Sequence, residues 1–172
     1  MTAGPHDEPT QPNGAGLVEL VERPLNHPDA VVLLRAFRAE QLDRYGFADP
    51  IDVHRDDYVS PTGAFVVVYR DGQPVGCGGY RWFDHTTRTV EIKKTYVVPE
   101  ARGIGHGCML LAWLENHAVT AGAQQAILET GVRNKAALHM FAAAGYRPTE
   151  RYVDGRDPLI NRAFTKPLDQ FA

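Results

Sequence analysis

The most informative stretch of the sequence is Tyr96-Val-Val-Pro-Glu-Ala-Arg-Gly-Ile-Gly-His-Gly107, in which alternating glycines separate a predicted strand from a predicted helix. Pro99 cannot donate a ladder hydrogen bond, so the strand ends there. Gly103, Gly105 and Gly107 allow close backbone approach to a ligand and leave amides uncovered. The first amides of a helix lack internal partners and carry the positive end of its dipole. This pattern is typical of a loop that binds a diphosphate or a similar anion.

Two other phosphate-binding loops fit this stretch poorly. A dinucleotide-binding loop needs Gly-x-Gly-x-x-Gly, and Cys108 occupies the position of its third glycine. A P-loop needs Gly-Lys followed by Ser or Thr, and the sequence contains no such run. Arg102 adds a fixed positive charge and a fork of donors beside the loop. A glycine-rich turn that serves only helix–sheet packing remains the alternative at this point.

Upstream of the loop, apolar β-branched runs predict strands at 17–21, 64–69, 74–83 and 88–98. A helix is predicted at 29–44, with Asp29 as its N-cap and Gly46 at its end. Residues 50–60 are ambiguous and could form a short helix. Asp71-Gly72 is a strong hairpin signal between two of the strands.

Downstream of the loop, the apolar residues from Gly107 to Ala121 fall at helical spacing, and Gly122 stands where that helix would end. A strand is predicted at 125–129, and Asn134 can cap a helix that ends at Gly145. Strands at 146–153 and 159–166 close the chain. The order predicts an antiparallel meander followed by a crossover helix that creates one parallel strand pair.

The bulk composition predicts one globular domain over residues 17–172, preceded by a disordered tail over residues 1–16. The formal net charge of −3 argues against a nucleic-acid partner. No apolar run approaches the ~20 residues of a membrane span, and no signal peptide is visible. Two isolated cysteines fit a reducing compartment, and the seven histidines show no ligand spacing. We therefore expect a cytoplasmic protein without a membrane partner or a metal site.

Two motifs in the right order make the chain resemble the GNAT acyltransferase superfamily. Its acetyl-CoA loop reads Arg or Gln, two residues, Gly, one residue, then Gly or Ala, which Arg102, Gly105 and Gly107 match. The segment from Asn134 to Tyr146 is similar to the family's later helix and its Gly-aromatic pair. The resemblance covers about residues 17–166 and is strong over 88–146. It implies a mixed α/β fold, with a mostly antiparallel sheet of about six or seven strands, splayed between the fourth and fifth and flanked by about four helices.

The resemblance also implies an acetyl-CoA site. The residues assigned to it are Val97, Val98, Arg102, Gly103, Ile104, Gly105, His106, Gly107, Asn134 and Phe141. The loop amides would hold the diphosphate, and the pantetheine arm would pair with the strand edge at Val97 and Val98. An amide of one of these two valines would stabilise the oxyanion. Asn134 can also serve as a helix N-cap, and the two roles are compatible.

Acetyl transfer to an amine requires a base, because an alkylammonium with a pKa near ~10.4 has no free lone pair. Glu91 is the favoured base, since a subset of the family carries its glutamate there; its alternative is a solvated glutamate paired with Lys93 or Arg88. Glu129, at the end of the fifth strand, is the second candidate. Many members have a tyrosine as the general acid where this chain has Phe141. Tyr96 and Tyr146 are candidate substitutes.

The predicted activity is N-acetyl transfer to the primary amine of a small molecule. The acidic segment containing Asp49, Asp52, Asp56 and Asp57 favours a cationic acceptor, although it can also be a solvated loop. A non-catalytic acyl-CoA sensor or scaffold is the alternative that Phe141 favours. Many relatives pair as dimers, so a homodimer is a partner that the resemblance allows.

Overall fold

The fold is known from a computed structural model that describes residues 16–50 and 54–168. Its strands are β1 (Val18–Glu22), β2 (Gly63–Arg70), β3 (Gln73–Asp84), β4 (Thr89–Val97), β5 (Gln125–Gly131), β6 (Arg147–Pro148) and β7 (Asn161–Pro167). Its α-helices are α1 (Pro28–Tyr45), α2 (His106–Thr120) and α3 (Lys135–Ala143). Short 3-10 helices span Arg55–Tyr58 and Pro99–Ala101. The predicted tail lies outside the described residues except for Gly16.

The seven strands form one sheet in the order β1-β2-β3-β4-β5-β7-β6. Every neighbouring pair is antiparallel except β4 and β5, which α2 connects as a crossover. Antiparallel neighbours follow from short hairpins, whereas a parallel pair needs a long connection. The predicted mixed α/β fold is confirmed. The described part contains three α-helices, and its two 3-10 helices supply the remaining helical turns.

Helices cover both faces of the sheet. On one face α2 and α3 bury their apolar sides, including Leu110, Leu114 and Phe141, against the strands. On the other face α1 packs Leu33 and Leu34 against the middle of the sheet. The sheet is therefore the middle of three layers.

The start of α1 differs from the prediction. His27 is the N-cap, and its Nδ1 accepts the amide hydrogen of Asp29 at 3.2 Å. Pro28 takes the first helical position, where its missing N–H costs nothing. Asp29 instead accepts a hydrogen bond from the Tyr69 hydroxyl at 2.6 Å. The expected cap was wrong by two residues because Pro28 favours the first turn more strongly than Asp29 favours the cap.

The strand expected at 146–153 is much shorter in the structure. Only Arg147 and Pro148 pair with β7, and the chain then turns away from the sheet. Pro148 lacks an amide hydrogen, and Gly155 lies in a turn with a φ of +76°. The residues after β6 therefore form a loop that returns to the open end of the sheet.

A bulge in β4 sets the direction of its side chains. Cys77 pairs with Tyr96 and Gly79 with Lys93, so β4 carries one extra residue, and Lys94 has a φ of +60°. In a regular strand Ile92 and Tyr96 would share one face. Here Ile92 packs on the α2 side and Tyr96 on the α1 side, because the bulge reverses the alternation.

Candidate active site

The sheet opens between β4 and β5. These strands pair only from Thr89–Glu91 to Gln125–Ile127, although β4 continues to Val97 and β5 to Gly131. Both strands stay paired with β3 and β7 on their outer sides. Among the described strands, β4 therefore has an unpaired inner edge beyond Glu91.

Val97 ends β4 and Val98 follows it, and their backbone amides point in opposite directions. The amide of Val98 donates to the Val75 carbonyl at 2.9 Å, so it is committed to β3. The expectation that Val98 could supply the oxyanion amide is therefore wrong. Alternate residues of an antiparallel ladder direct their polar groups to opposite edges, so Val97 faces the gap. The carbonyl of Val97 there accepts a hydrogen bond from Arg102 Nε at 2.8 Å.

The glycine loop presents bare backbone beside this gap. Gly103 and Gly105 have φ angles of +80° and +95°, in the left-handed region that favours glycine. A Cβ at either position would meet no atom within 4 Å. Gly105 is the N-cap of α2, and no side chain among the described residues caps that helix. The first α2 amides therefore remain uncovered, as an anion site requires.

Helix α3 closes the site from the other side. A Cβ at Gly107 would lie 2.9 Å from Met140 Sδ, so glycine there lets α3 approach α2. Asn134 accepts the amide hydrogen of Ala137 at 3.2 Å, which confirms its N-cap role. Phe141 is buried and packs edge-on against Tyr146, with ring centroids 5.7 Å apart.

Two residues at the start of α2 differ in burial. His106 is buried, and its Nδ1 lies 2.9 Å from the Ala101 carbonyl oxygen. Cys108 is exposed. Because α2 begins at His106, the His106 side chain turns inward and the Cys108 side chain turns outward.

Arg102 is held across the mouth of the site. Its guanidinium pairs with Glu40 at 2.6 Å and lies 5.6 Å from the centre of the Tyr96 ring. The side chain of Tyr96 is almost fully buried, and burial raises the pKa of its hydroxyl. Arg102 thus connects α1, β4 and the glycine loop.

The gap, the loop and α3 enclose one cavity of about 700 Å³. The predicted site residues that line it are Tyr96, Val97, Arg102, Gly103, Gly105, His106, Gly107, Glu129, Asn134 and Phe141. Glu91, Val98 and Ile104 do not line it. The structure therefore brings together most of the residues that the sequence singled out from two separate motifs.

Glu91 is enclosed by donors rather than open to the cavity. Its side chain is 2% exposed, and Arg81 and Lys93 contact its two oxygens at 3.0 and 3.2 Å. The Tyr152 hydroxyl donates to Oε1 at 3.2 Å. Burial raises the pKa of Tyr152, so its hydroxyl stays protonated as a donor. The expected partner Lys93 is present, whereas Arg81 and Tyr152 were missed.

Glu129 has the opposite surroundings. It lines the cavity, and its Oε1 is buried without a hydrogen-bond partner among the described residues. Its Oε2 lies 3.6 Å from Arg156 Nε. Burial raises the pKa of Glu129 above its ordinary value, and the charge of Arg156 only partly offsets this. A carboxylate with a free oxygen and a raised pKa is suited to accept a proton.

The bulge in β4 brings two consecutive lysines to the wall of the cavity. Lys93 and Lys94 both line the cavity, on either side of the irregular step in β4. Lys94 Nζ lies 3.4 Å from the Pro50 carbonyl oxygen and 5.7 Å from the centre of the Tyr58 ring. Burial lowers the pKa of Lys94, and the neighbouring charge of Lys93 lowers it further. Strict alternation could not have shown that consecutive lysines serve one site.

Two of the four aspartates in the acidic segment that favoured a cationic acceptor are paired with arginines. Asp49 pairs with Arg156 at 2.9 Å, and Asp57 pairs with Arg81 at 3.0 Å. Asp52 lies outside the described residues. Within 16–50 and 54–168, no cluster of three or more His, Cys, Asp or Glu side chains could hold a metal ion. No helix in those ranges is long and apolar enough to cross a membrane.

Two curated relatives are similar to this chain in sequence. The chain is 35% identical over 153 residues to the IAA acetyltransferase of Azospirillum brasilense, covering 86% of this chain and 95% of that protein. It is 29% identical over 110 residues to the aminoalkylphosphonate N-acetyltransferase of Salmonella typhimurium, covering 62% of this chain and 70% of that one.

A solved structure and a family model point the same way. A GNAT family acetyltransferase from Elizabethkingia anophelis with acetyl-CoA bound superposes with a TM-score of 0.65 at 19% identity, over 88% of this chain and 98% of that one. Residues 32–146 match the model of the acetyltransferase (GNAT) family. The matched region contains most of α1, the splayed strands, the glycine loop and α3. The chain therefore belongs to the acetyltransferase (GNAT) family and is an N-acetyltransferase.

Proposed function

We propose that this enzyme transfers the acetyl group of acetyl-CoA to the primary amine of a small molecule. The observation that carries the proposal is the single cavity into which three features open. These are the bare amides at the start of α2, the unpaired edge of β4, and the unpartnered oxygen of Glu129. Such a cavity can hold an anion, an extended arm and a reacting amine at once.

The residues present fit acetyl-CoA as the donor. The amides from Gly103 to Gly107 would bind the diphosphate, since their backbone is uncovered and the α2 dipole favours negative charge. The amide-bearing arm would lie along the inner edge of β4, as an added strand does. The likeness to a family member with acetyl-CoA bound supports this placement.

The reaction needs only the groups that line the cavity. The lone pair of the neutral amine attacks the thioester carbonyl carbon, a C–N bond forms, and the C–S bond breaks as the thiolate leaves. Glu129 accepts the proton that the attacking nitrogen loses. The gap-facing amide of Val97 is the backbone donor that we assign to the oxyanion.

The base is therefore Glu129 rather than Glu91. Glu91 was the favoured candidate, but its oxygens are occupied by Arg81, Lys93 and Tyr152, and it does not reach the cavity. We assign Glu91 a positioning role, because it holds the Lys93 ammonium at the wall of the site.

The thiolate leaves without a tyrosine at the usual position. Phe141 lines the cavity and has no proton to donate. A thiol has an intrinsic pKa near ~8.5, so its anion is a tolerable leaving group near neutral pH. Tyr96 also lines the cavity, and its raised pKa keeps a proton on the hydroxyl, so it is our substitute donor.

The acceptor is a small amine rather than a protein. The relative from Salmonella typhimurium is named for an aminoalkylphosphonate, which carries an amine on a short chain. The acceptor side of the cavity is lined by Asp49, Lys93, Lys94 and Glu129, which leaves a compact polar pocket instead of a long groove.

Two measurements on one sample test the proposal. Isothermal titration with acetyl-CoA measures binding, and a thiol-release assay with a panel of small amines measures transfer. Binding followed by amine-dependent thiol release is the expected result. Binding without release would favour the second candidate function, an acyl-CoA sensor, for which Phe141 at the acid position is the supporting observation. No binding would overturn both.

A further inference from the structure

A side pocket of about 80 Å³ lies next to the main cavity and shares all but two of its described lining residues with it. Leu34, Phe37 and Ile92 form its apolar wall. This volume is several times the ~10–15 Å³ that one water needs, so it admits a ligand of a few heavy atoms. Its charged residues determine what that ligand can be.

Four charged side chains line the side pocket, namely Asp49, Lys93, Lys94 and Glu129. Two of them are already neutralised. Asp49 pairs with Arg156 at 2.9 Å, and Lys93 pairs with Glu91 at 3.2 Å. Within each pair the opposite charges compensate each other, so Asp49 and Lys93 attract a charged ligand only weakly.

The other two charges are less completely paired, since Glu129 Oε2 lies 3.6 Å from Arg156 Nε and that arginine also pairs with Asp49 at 2.9 Å. Lys94 has no carboxylate within 4.0 Å among the residues that the structure describes, and its one hydrogen bond is a 3.4 Å contact with a carbonyl. Glu129 Oε1 is buried without any hydrogen bond in the same part of the chain. A partly buried charge is costly unless it is fully paired, so both groups would gain from a ligand. They have opposite signs and line one small pocket.

We propose that the acceptor is a small zwitterion, a primary amine that carries a carboxylate or phosphonate group. The amine lies against Glu129, which takes its proton, and the anionic group pairs with Lys94. The inference rests on the proposed function and adds the class of its acceptor. It replaces the cationic acceptor that the acidic segment favoured, because Asp49 and Asp57 are bound to arginines.

The position of Lys94 in the bulge is consistent with this role. A lysine at the irregular step shares a face with Lys93, whereas regular alternation would direct the two to opposite sides of the sheet. The charge of Lys93 already lowers the pKa of Lys94. An anion paired with Lys94 would relieve both that repulsion and the cost of partly burying its charge.

The test compares four acceptors at one pH, with kcat/KM normalised to the neutral fraction of each amine. The probes are aminoethylphosphonate, β-alanine, propylamine and diaminopropane. We expect at least one of the two zwitterions to exceed propylamine and diaminopropane by about tenfold or more, since a partly buried charge without a nearby carboxylate favours its counterion. Whether the phosphonate or the carboxylate is faster identifies the anionic group.

A Lys94→Met variant assigns the preference to this side chain. It should lower kcat/KM for the preferred zwitterion at least about tenfold more than for propylamine, mainly through KM, and Lys94→Arg should restore part of the loss. Arg35→Met is the matched control, because Arg35 is an exposed α1 cation that lines neither pocket.

Three outcomes would overturn the inference, and they are distinguishable. If propylamine or diaminopropane had the same normalised kcat/KM as both zwitterions, the acceptor would need no anionic group. The proposed acetyl transfer would be unaffected by that result. An equal loss with all substrates in Lys94→Met would likewise reject the pairing with Lys94. Thiol release with none of the four amines would overturn the proposed transfer to small amines, and the zwitterion with it.

Discussion

Glu91 and Glu129 show how neighbours decide what a carboxylate can do. Both project from strands that border the splay. Glu91 is bonded to three donors, so its negative charge is stabilised and used for structure. Glu129 keeps one oxygen without a partner in the described part of the protein, and burial raises its pKa. Two glutamates on neighbouring strands therefore serve different purposes, one structural and one suited to accepting a proton.

Glu129→Gln should abolish the proton-accepting step. With rates normalised to the neutral amine, wild-type kcat/KM should fall as the pH drops through the raised pKa of Glu129. The variant should lose that acidic limb and be slower by about 10²–10⁴-fold at neutral pH. Steady-state kinetics across pH would measure both effects. An unchanged profile would remove Glu129 as the base.

Thermal unfolding of the same variant checks that it folds, and the sign of the effect follows from linkage. A raised pKa means that the folded state favours the protonated glutamate, so this contribution to stability is present at low pH and is lost as the pH rises through the folded pKa. Glutamine cannot ionise. The Tm of the variant relative to wild type should therefore increase from acidic to neutral pH.

Glu91→Gln should mainly destabilise the fold. The change removes a buried charge that Arg81 and Lys93 contact, and charge-assisted hydrogen bonds contribute about 1.5–3 kcal/mol each. We expect a loss of about 2 kcal/mol in the free energy of unfolding, measured by urea denaturation. Glu22→Gln is the control, because Glu22 is exposed and its pair with His117 should contribute under about 1 kcal/mol. Equal losses would contradict the assigned role.

The sequence predicted the glycine-rich start of α2 and the cap of α3, because the constraint at each of these positions is local. Positive φ at Gly103 and Gly105 and the cap at Asn134 follow from residue type and spacing alone. The surroundings of Glu91 could not be predicted, because Tyr152 approaches from a loop 61 residues away. Long-range contacts of this kind leave no periodic signal.

At the scale of elements, the start of α2 carries the cofactor prediction. Gly105 and Gly122 flank this helix with φ angles of +95° and +99°, and a Cβ at either would meet no atom within 4 Å. Valine at either position should therefore add similar backbone strain, about 1–2 kcal/mol. Only Gly105 borders the cavity.

Gly105→Val should therefore weaken acetyl-CoA binding by about 100-fold or more, since a branched side chain would cover the amides that hold the diphosphate. Gly122→Val should bind within about threefold of wild type. Isothermal titration of both variants measures the difference. Comparable affinity for the two would reject the anion site at α2.

Strand β4 shows where element-level prediction ends. Its end at Pro99 could be predicted because proline cannot donate to the ladder. Its bulge at Lys94 could not, since the extra residue is defined against Gly78 and Cys77 on the neighbouring strand. The consequence is large, because that one residue decides which face Lys93, Lys94 and Tyr96 share.

At the scale of the whole molecule, the donor should stabilise the protein by bridging two halves of the sheet. A ligand at 100 times its Kd adds about 2.7 kcal/mol to the free energy of unfolding. For a chain of this length that corresponds to a rise in Tm of roughly 5–10 °C. Differential scanning fluorimetry with acetyl-CoA measures the shift. Gly105→Val should not show it, and Gly122→Val should.

The splayed sheet also has a consequence for aggregation. Exposed strand edges recruit other chains and seed aggregation, so proteins usually cover or interrupt them. The inner edge of β4 is unpaired, yet β5 stands opposite, and α2 and α3 cover one face. A foreign strand would need about 4.8 Å of lateral room and a flat approach. The opposite strand and the covering helices therefore restrict the approach of a foreign strand to this edge.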